Sequence, residues 1–334
     1  MEYYLKKLGH QELGSITNNG RPSRGRYMFS SKSLEVLKMF PPLSETQKND
    51  SALLPIIPLY LGKKVYCNYV YHNDKFHGGS RNEYRIYLNA ELENNQLLFN
   101  ENDIVIIRKD YITQNNEHED NNQTVYFLDL IQQHNSELYQ LCDKEIERSP
   151  IRGKYAIYNG EIKEFEENVT RLKSKDEINV VIDNSVVNKI INNGESNQGL
   201  DDKIADLFNA TSFRDFVMVG YSNLCAVTGN VISWNSYNNL EAAHIKPKSH
   251  GGLYTPNNGI AMSRDIHWAF DKGFFTISDD FKIIVHDEVD SEYLKSFNGK
   301  SIRLPENSFF IPDKSNLSYH RDNVFGLFKI KGRL

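Results

Sequence analysis

Apolar residues toward the N-terminal end of the chain alternate with polar ones or form short unbroken runs, which is the signature of strands. Leu54–Leu61, Lys64–Tyr71, Tyr84–Leu88 and Asp103–Arg108 read this way, with Gly62, the His77-Gly78-Gly79 run and Asn94-Asn95 as turns between them. The pattern predicts a β-rich, barrel-like domain over residues 1–112. The polar run Gln114–Gln123 has nothing to bury and reads as an exposed boundary. A mixed connector over 113–200 follows, with strands at Val125–Ile131 and Ile178–Ile182 and helices at Glu137–Glu147, Glu161–Lys173 and Val186–Ile191. The amide- and glycine-rich Asn192–Gly199 marks a second break. After it, Asp201–Phe208 and Ser212–Tyr221 read as helices, the second capped by Ser212, opening a C-terminal domain over 201–334. The expected fold class is α+β.

In that last domain the period changes within a few residues. Leu240–Ile245 alternates as a strand, with Glu241, Ala243 and Ile245 on one face and Leu240, Ala242 and His244 on the other. Pro247 ends it, and KSHGGLYTPNNG is a loop that returns the chain to the strand. Ser263 caps a helix running through Lys272 to Gly273, on which His267 and Asp271 share a face at i,i+4. An imidazole and a carboxylate so spaced suit a divalent cation that keeps water or phosphate oxygens as its other ligands. A histidine held apart from the ion, His244, suits a general base. Either histidine alone is more often structural; the combination is what points to chemistry.

Composition narrows the setting. A hydrophobic share of 39% fills ordinary cores, and a net charge of -5 excludes a uniformly basic nucleic-acid coat, so phosphate contacts must come from local patches. One such patch is GRPSRGRYMF, where Arg21, Arg24 and Arg26 surround glycine and proline. Cys67, Cys142 and Cys225 are far apart, which predicts neither a disulfide framework nor a structural zinc. The N-terminus MEYYLKKLGHQ has no apolar signal core and no run is long enough to span a membrane, so a soluble, cytoplasmic protein is expected.

The series CAVTG, LEAAHIKP, NNGIAMSRDIH and FDKGFFTI, with a core over 213–285, resembles the HNH nucleases of the ββα-metal group. The resemblance implies that His244 is the general base and that Asn258 orients it or holds the loop. It also implies that His267 and Asp271 ligate one divalent ion, Mg2+ or alternatively Mn2+ or another divalent ion. Many members carry a ligand just before the base, where this chain has Ala243; Glu241 is the substitute, or the ion uses two protein ligands and water. With no zinc-binding cysteine pairs, Phe213, Phe216, Tyr221, Trp234, Trp268, Phe270 and Phe274 are expected to brace the core.

The N-terminal strings SRGRYMF, NEYRIYLNAEL and FNENDIVIIRK resemble the pseudobarrel DNA-recognition domain of plant B-three transcription factors and of some restriction-enzyme effector domains. This implies two loops in the major groove, one with Arg21, Arg24 and Arg26 and one with Lys75, His77 and Arg81. Lys246, Lys248, His250 and Arg264 are candidate phosphate contacts beside the nuclease site, or plain surface charge. The expectation is a type II restriction-like endonuclease acting on double-stranded DNA as a homodimer. Alternatives are a methylcytosine-directed nuclease and a DNA-binding regulator with a degenerate nuclease domain.

Overall fold

The computed structural model describes residues 1–22, 25–46, 49–114, 121–133, 136–175, 178–194, 204–234 and 237–330. Two compact units, Met1–Ser196 and Asn197–Leu334, divide the chain.

The first unit is a curled half-barrel. Its strands are β1 (Glu2–Lys7), β2 (Tyr27–Ser30), β3 (Asn49–Pro58), β4 (Lys64–Asn73), β5 (Asn82–Tyr87), β6 (Ile104–Gln114), β7 (Asn121–Ile131), β8 (Tyr155–Asn159) and the short β9 (Val180–Val181). They follow the order β2-β5-β4-β3-β7-β6-β1-β8, with β9 beside β4. Both sheet faces are buried, which is why β1 reads as a continuous apolar run. Tyr4 joins the cluster of Met28, Leu54 and Val105, while Tyr3 and Leu5 face Ile104, Ile106 and Phe127. Helices α1 (His10–Leu13), α2 (Leu34–Leu37), α3 (Glu137–Arg148), α4 (Lys163–Lys173) and α5 (Asn184–Gly194) complete it. The Glu12 carboxylate ties β1 to β2: it accepts from the Phe29 amide at 2.7 Å and pairs with Lys6 Nζ at 3.1 Å.

The strands on either side of the polar run expected to separate the domains pair with each other. Strands β6 and β7 stay in register from Ile104↔Ile131 out to Gln114↔Asn121, so the expected boundary at 112/113 falls inside a strand pair. β7 and β8, placed by sequence in a connector, are members of the N-terminal sheet. Local polarity cannot say whether the strands on either side pair with each other, and residues 115–120 of the polar run lie outside the described residues.

The second unit is built on the antiparallel pair β12 (Leu240–His244) and β13 (Gly259–Ser263), registered from Leu240↔Ser263 to His244↔Gly259. Two small hairpins flank it in sequence: β10 (Ser233–Trp234) with β11 (Tyr237–Asn238), and β14 (Phe275–Ile277) with β15 (Ile283–Val285). Helix α6 (Ala210–Gly220) packs on the central pair, and α7 (Arg264–Asp271) follows β13 directly. The short α8 (Glu292–Lys295) and the longer α9 (Lys314–Asn323) come last. The cap of α6 is Asn209 rather than Ser212: Asn209 Oδ1 accepts from the Thr211 and Ser212 amides, while Ser212 Oγ accepts from the Asn209 amide. Phe213, Phe216, Tyr221 and Phe270 are buried as expected, but Trp234 and Trp268 are 72% and 54% exposed. Among the described residues no helix is long and apolar enough to cross a membrane.

Candidate active site

The alternation of β12 divides its side chains as the sequence predicts. Ala243 and Ile245 point into the core with Ile260, Ile266 and Phe270. His244 lies on the opposite face, where its ring stacks on Phe213 of α6 with centroids 4.3 Å apart and planes 21° from parallel. Tyr254, from the loop, meets the same imidazole edge-on at 5.4 Å. That close approach of α6 needs Gly259, the register partner of His244. A Cβ there would lie 2.4 Å from Val217 Cγ2 and 2.8 Å from Phe213 Cε2.

Asn258 holds the loop. Its Oδ1 accepts from the Lys246 amide at 2.9 Å, and its Nδ2 donates to the carbonyls of Lys246 at 3.2 Å and Leu253 at 3.0 Å. With its own carbonyl accepting from the Ile245 amide, the buried asparagine fastens the end of β12 to the returning chain. Of the two roles that sequence left open, these bonds favour the loop. Gly252 lets that loop close, since a Cβ would fall 1.9 Å from the Lys246 carbonyl oxygen.

On α7, His267 stands between two carboxylates. Nδ1 is 2.7 Å from Glu241 Oε2, and Nε2 is 3.3 Å from Asp271 Oδ2. Burial pulls the pKa of His267 down, but the hydrogen bonds to Asp271 and Glu241 prevail and raise it to about 9. The hydrogen bond from His267 in turn lowers Glu241, aided by Arg264, whose Nε lies 3.3 Å from Glu241 Oε1. Ser263 precedes the helix without capping it; its hydroxyl is directed at Cys225 Sγ. The far end of α7 is held from α9, where His320 stacks on Phe270 at 3.8 Å and sits 3.2 Å from the Phe270 carbonyl oxygen.

The donor chemistry fits a divalent ion. An imidazole and two carboxylates are hard and borderline ligands of the right kind. Glu241 and Asp271 approach opposite nitrogens of one ring, however, so one carboxylate can share an ion with His267 while the other orients the imidazole through its second nitrogen. Among the described residues, no three His, Cys, Asp or Glu side chains converge as a metal cage. Ala243, enclosed in the core, adds no ligand.

The cations singled out by sequence fall into distinct environments. Lys246 Nζ lies over the Tyr319 ring at 4.9 Å and Lys248 Nζ over Tyr254 at 4.0 Å. His250 packs edge-on against Tyr319, and Arg264 is committed to Glu241. In the first unit Arg21 and Lys75 are exposed, and Arg81 pairs with Asp74 at 2.7 Å. Arg26 does not belong with them: it is buried, pairs with Glu93 at 2.7 Å and donates to the carbonyls of Leu13 and Phe99. Its guanidinium holds the half-barrel together rather than facing a ligand. Arg24 and the side chain of His77 lie outside the described residues. Sequence reading missed Tyr254 and His320 and took Phe213 for a core brace only. No local periodicity links any of them to the ring it touches.

Residues 225–278 match a family model described as HNH endonuclease. Among solved structures, a modification-dependent restriction endonuclease, TagI, aligns with 37% of this chain and 40% of its own, at 22% identity and a TM-score of 0.28. The B3 domain of the restriction endonuclease UbaLAI, solved with cognate DNA, aligns with 47% of this chain and 85% of its own, at 16% identity and a TM-score of 0.29. The curated proteins give no match.

Proposed function

We propose that the chain is a restriction-like DNA endonuclease in which the N-terminal half-barrel selects a double-stranded site and the C-terminal unit hydrolyses a phosphodiester bond. One observation carries this reading. The hairpin and helix of residues 240–271 unite the aromatic-packed His244 with the Glu241–His267–Asp271 array, inside the segment that matches the HNH endonucleases.

His244 takes a proton from a water molecule, whose oxygen then bonds to phosphorus in line with the departing 3′ oxygen. The bond from phosphorus to that oxygen breaks, the oxygen is protonated by solvent, and the ends are 5′-phosphate and 3′-hydroxyl. His267 and one of the carboxylates Glu241 and Asp271 would hold a divalent ion, Mg2+ or Mn2+, which would supply charge stabilisation to the phosphate. Asn258 keeps the base strand and loop in register, and Lys246 and Lys248 offer positive charge on that loop. In the first unit Arg21, Lys75 and Arg81 are the exposed candidates for DNA contact. One such site per chain needs two chains to cut both strands, so a homodimer on DNA belongs to the proposal.

The test is digestion of a sequenced plasmid, methylated and unmethylated, with Mg2+ or Mn2+, followed by mapping of the ends. Discrete cuts that vanish in His244→Ala support the reading. Cuts confined to methylated plasmid would move it to a modification-directed nuclease. DNA binding without cutting under any divalent ion would leave a DNA-binding regulator.

A further inference from the structure

We infer that Phe213, assisted by Tyr254, is a positioning residue for His244. The inference rests on the proposed role of His244 as the base. Phe213 precedes the segment that matches the HNH model and lies on α6, not on the hairpin that carries the base.

Three features meet at this ring. Phe213 stacks on the imidazole, Tyr254 closes the neighbouring side at 5.4 Å, and Phe213 and Tyr254 are themselves 5.8 Å apart, so His244 occupies an aromatic slot. The hairpin gives up a side chain at Gly259, opposite His244, and the space goes to Phe213 and Val217. The Asn258 bonds tie the backbone just before that glycine to Ile245 and Lys246, just after His244.

A histidine on a strand has two freely rotating side-chain bonds, and proton abstraction requires one ring nitrogen to stay aimed at the attacking water. Stacking restricts the imidazole plane. The π face of Phe213 also attracts the imidazolium that forms as the proton arrives, so the same contact favours the charged product of the transfer. Lys248, over the ring of Tyr254, places a positive charge at the side of the slot. The phenylalanine therefore acts through His244, and its effect belongs in the chemical step rather than in DNA affinity.

The test compares four variants for cleavage, metal-free DNA binding and thermal stability. Phe213→Leu removes the ring, and Phe213→Tyr restores one. Val217→Ala, on the same helix and against the same glycine, makes a core loss that leaves the Phe213 ring in place. His244→Ala reports the base itself. Phe213→Leu is expected to lower kcat about tenfold with KM and DNA affinity nearly unchanged, since orientation of a reacting group is lost. Phe213→Tyr should recover most of kcat, and Val217→Ala should lose stability but keep kcat. In nuclear magnetic resonance spectra of histidine-labelled protein, the His244 ring signals should lose their ring-current displacement in Phe213→Leu alone among the three core variants. If His244→Ala is dead while Phe213→Leu cuts like wild type, or if Val217→Ala loses kcat as severely, the positioning role is overturned and the base assignment stands. If His244→Ala cuts as well as wild type, the base assignment falls and the positioning role with it.

Discussion

His244 and His267 belong to one hairpin-helix unit, yet the first is packed between rings and the second between carboxylates. Stacking restricts the plane of the ring without adding a charge beside it. Two carboxylates instead engage both nitrogens and hold the pKa of His267 near 9, so at neutral pH the ring is positively charged in the absence of a metal ion. The two halves therefore suit different work. In the proposed mechanism one imidazole takes a proton from water, and the other would give up its proton to a competing cation. Beneath the second half lies another stack, His320 on Phe270, which serves the helix rather than the reaction.

The largest test of this division removes the base. His244→Ala should reduce cleavage by about a thousandfold, within the range of general-base contributions, while thermal stability changes by only a few degrees. The His267 titration, followed by nuclear magnetic resonance, should stay in place. Were it to move with His244, the two halves would form one coupled network, and the comparison would fail.

How much of this was legible beforehand follows the range of the contacts. The His267–Asp271 pair is a single helical turn, and the faces of β12 follow from its alternation, so both could be read locally. Glu241 was placed by its strand face, although not its approach to the nitrogen opposite Asp271. Phe213, Tyr254 and His320 were not legible in these roles, because each meets its ring across a separate element. In the first unit the strands were readable but their pairing was not. The sequence between β6 and β7 resembled a domain boundary because it is polar, yet the two strands pair. Arg26 misled for a related reason: an arginine among glycines looks solvent-facing until Glu93 arrives from a distant turn.

The next effect tests the stack beneath the helix and comes through pH. His320 is buried, and that burial lowers its pKa to about 4 from an ordinary value near 6.5. Between these values the unfolded chain binds the extra proton, so stability is full above about pH 6.5, declines as pH falls and stops declining near pH 4. The loss from this group approaches about 3 kcal/mol. His72 in the first unit, also lowered to about 4, has the same sign, so the difference between wild type and His320→Gln isolates the C-terminal contribution. Denaturant midpoints measured from pH 7 to pH 4 should show a shallower pH slope in His320→Gln. Equal slopes would mean that burial does not hold this ring neutral.

The smallest effect decides which carboxylate shares the ion with His267. In Glu241→Gln the amide oxygen can still accept from Nδ1–H, but the negative charge is gone, so the His267 pKa should fall back toward its ordinary value. Asp271→Asn makes the matching change at Nε2. A carboxylate that only orients the ring costs about tenfold in metal affinity when neutralised, whereas a direct ligand costs more because an amide is a poorer donor to a hard cation. Calorimetric titration of both variants with Mn2+ ranks the two. The larger loss in Asp271→Asn would place the ion at Nε2, on the half-exposed side of the helix, and leave Glu241 with Arg264 as the orienting pair. The reverse order would place the ion against the base strand, where Glu241 takes over the ligand role that Ala243 cannot fill. Equal losses would mean that the ring turns between two arrangements, and the strict contrast between a positioned base and a fixed ligand would have to be abandoned.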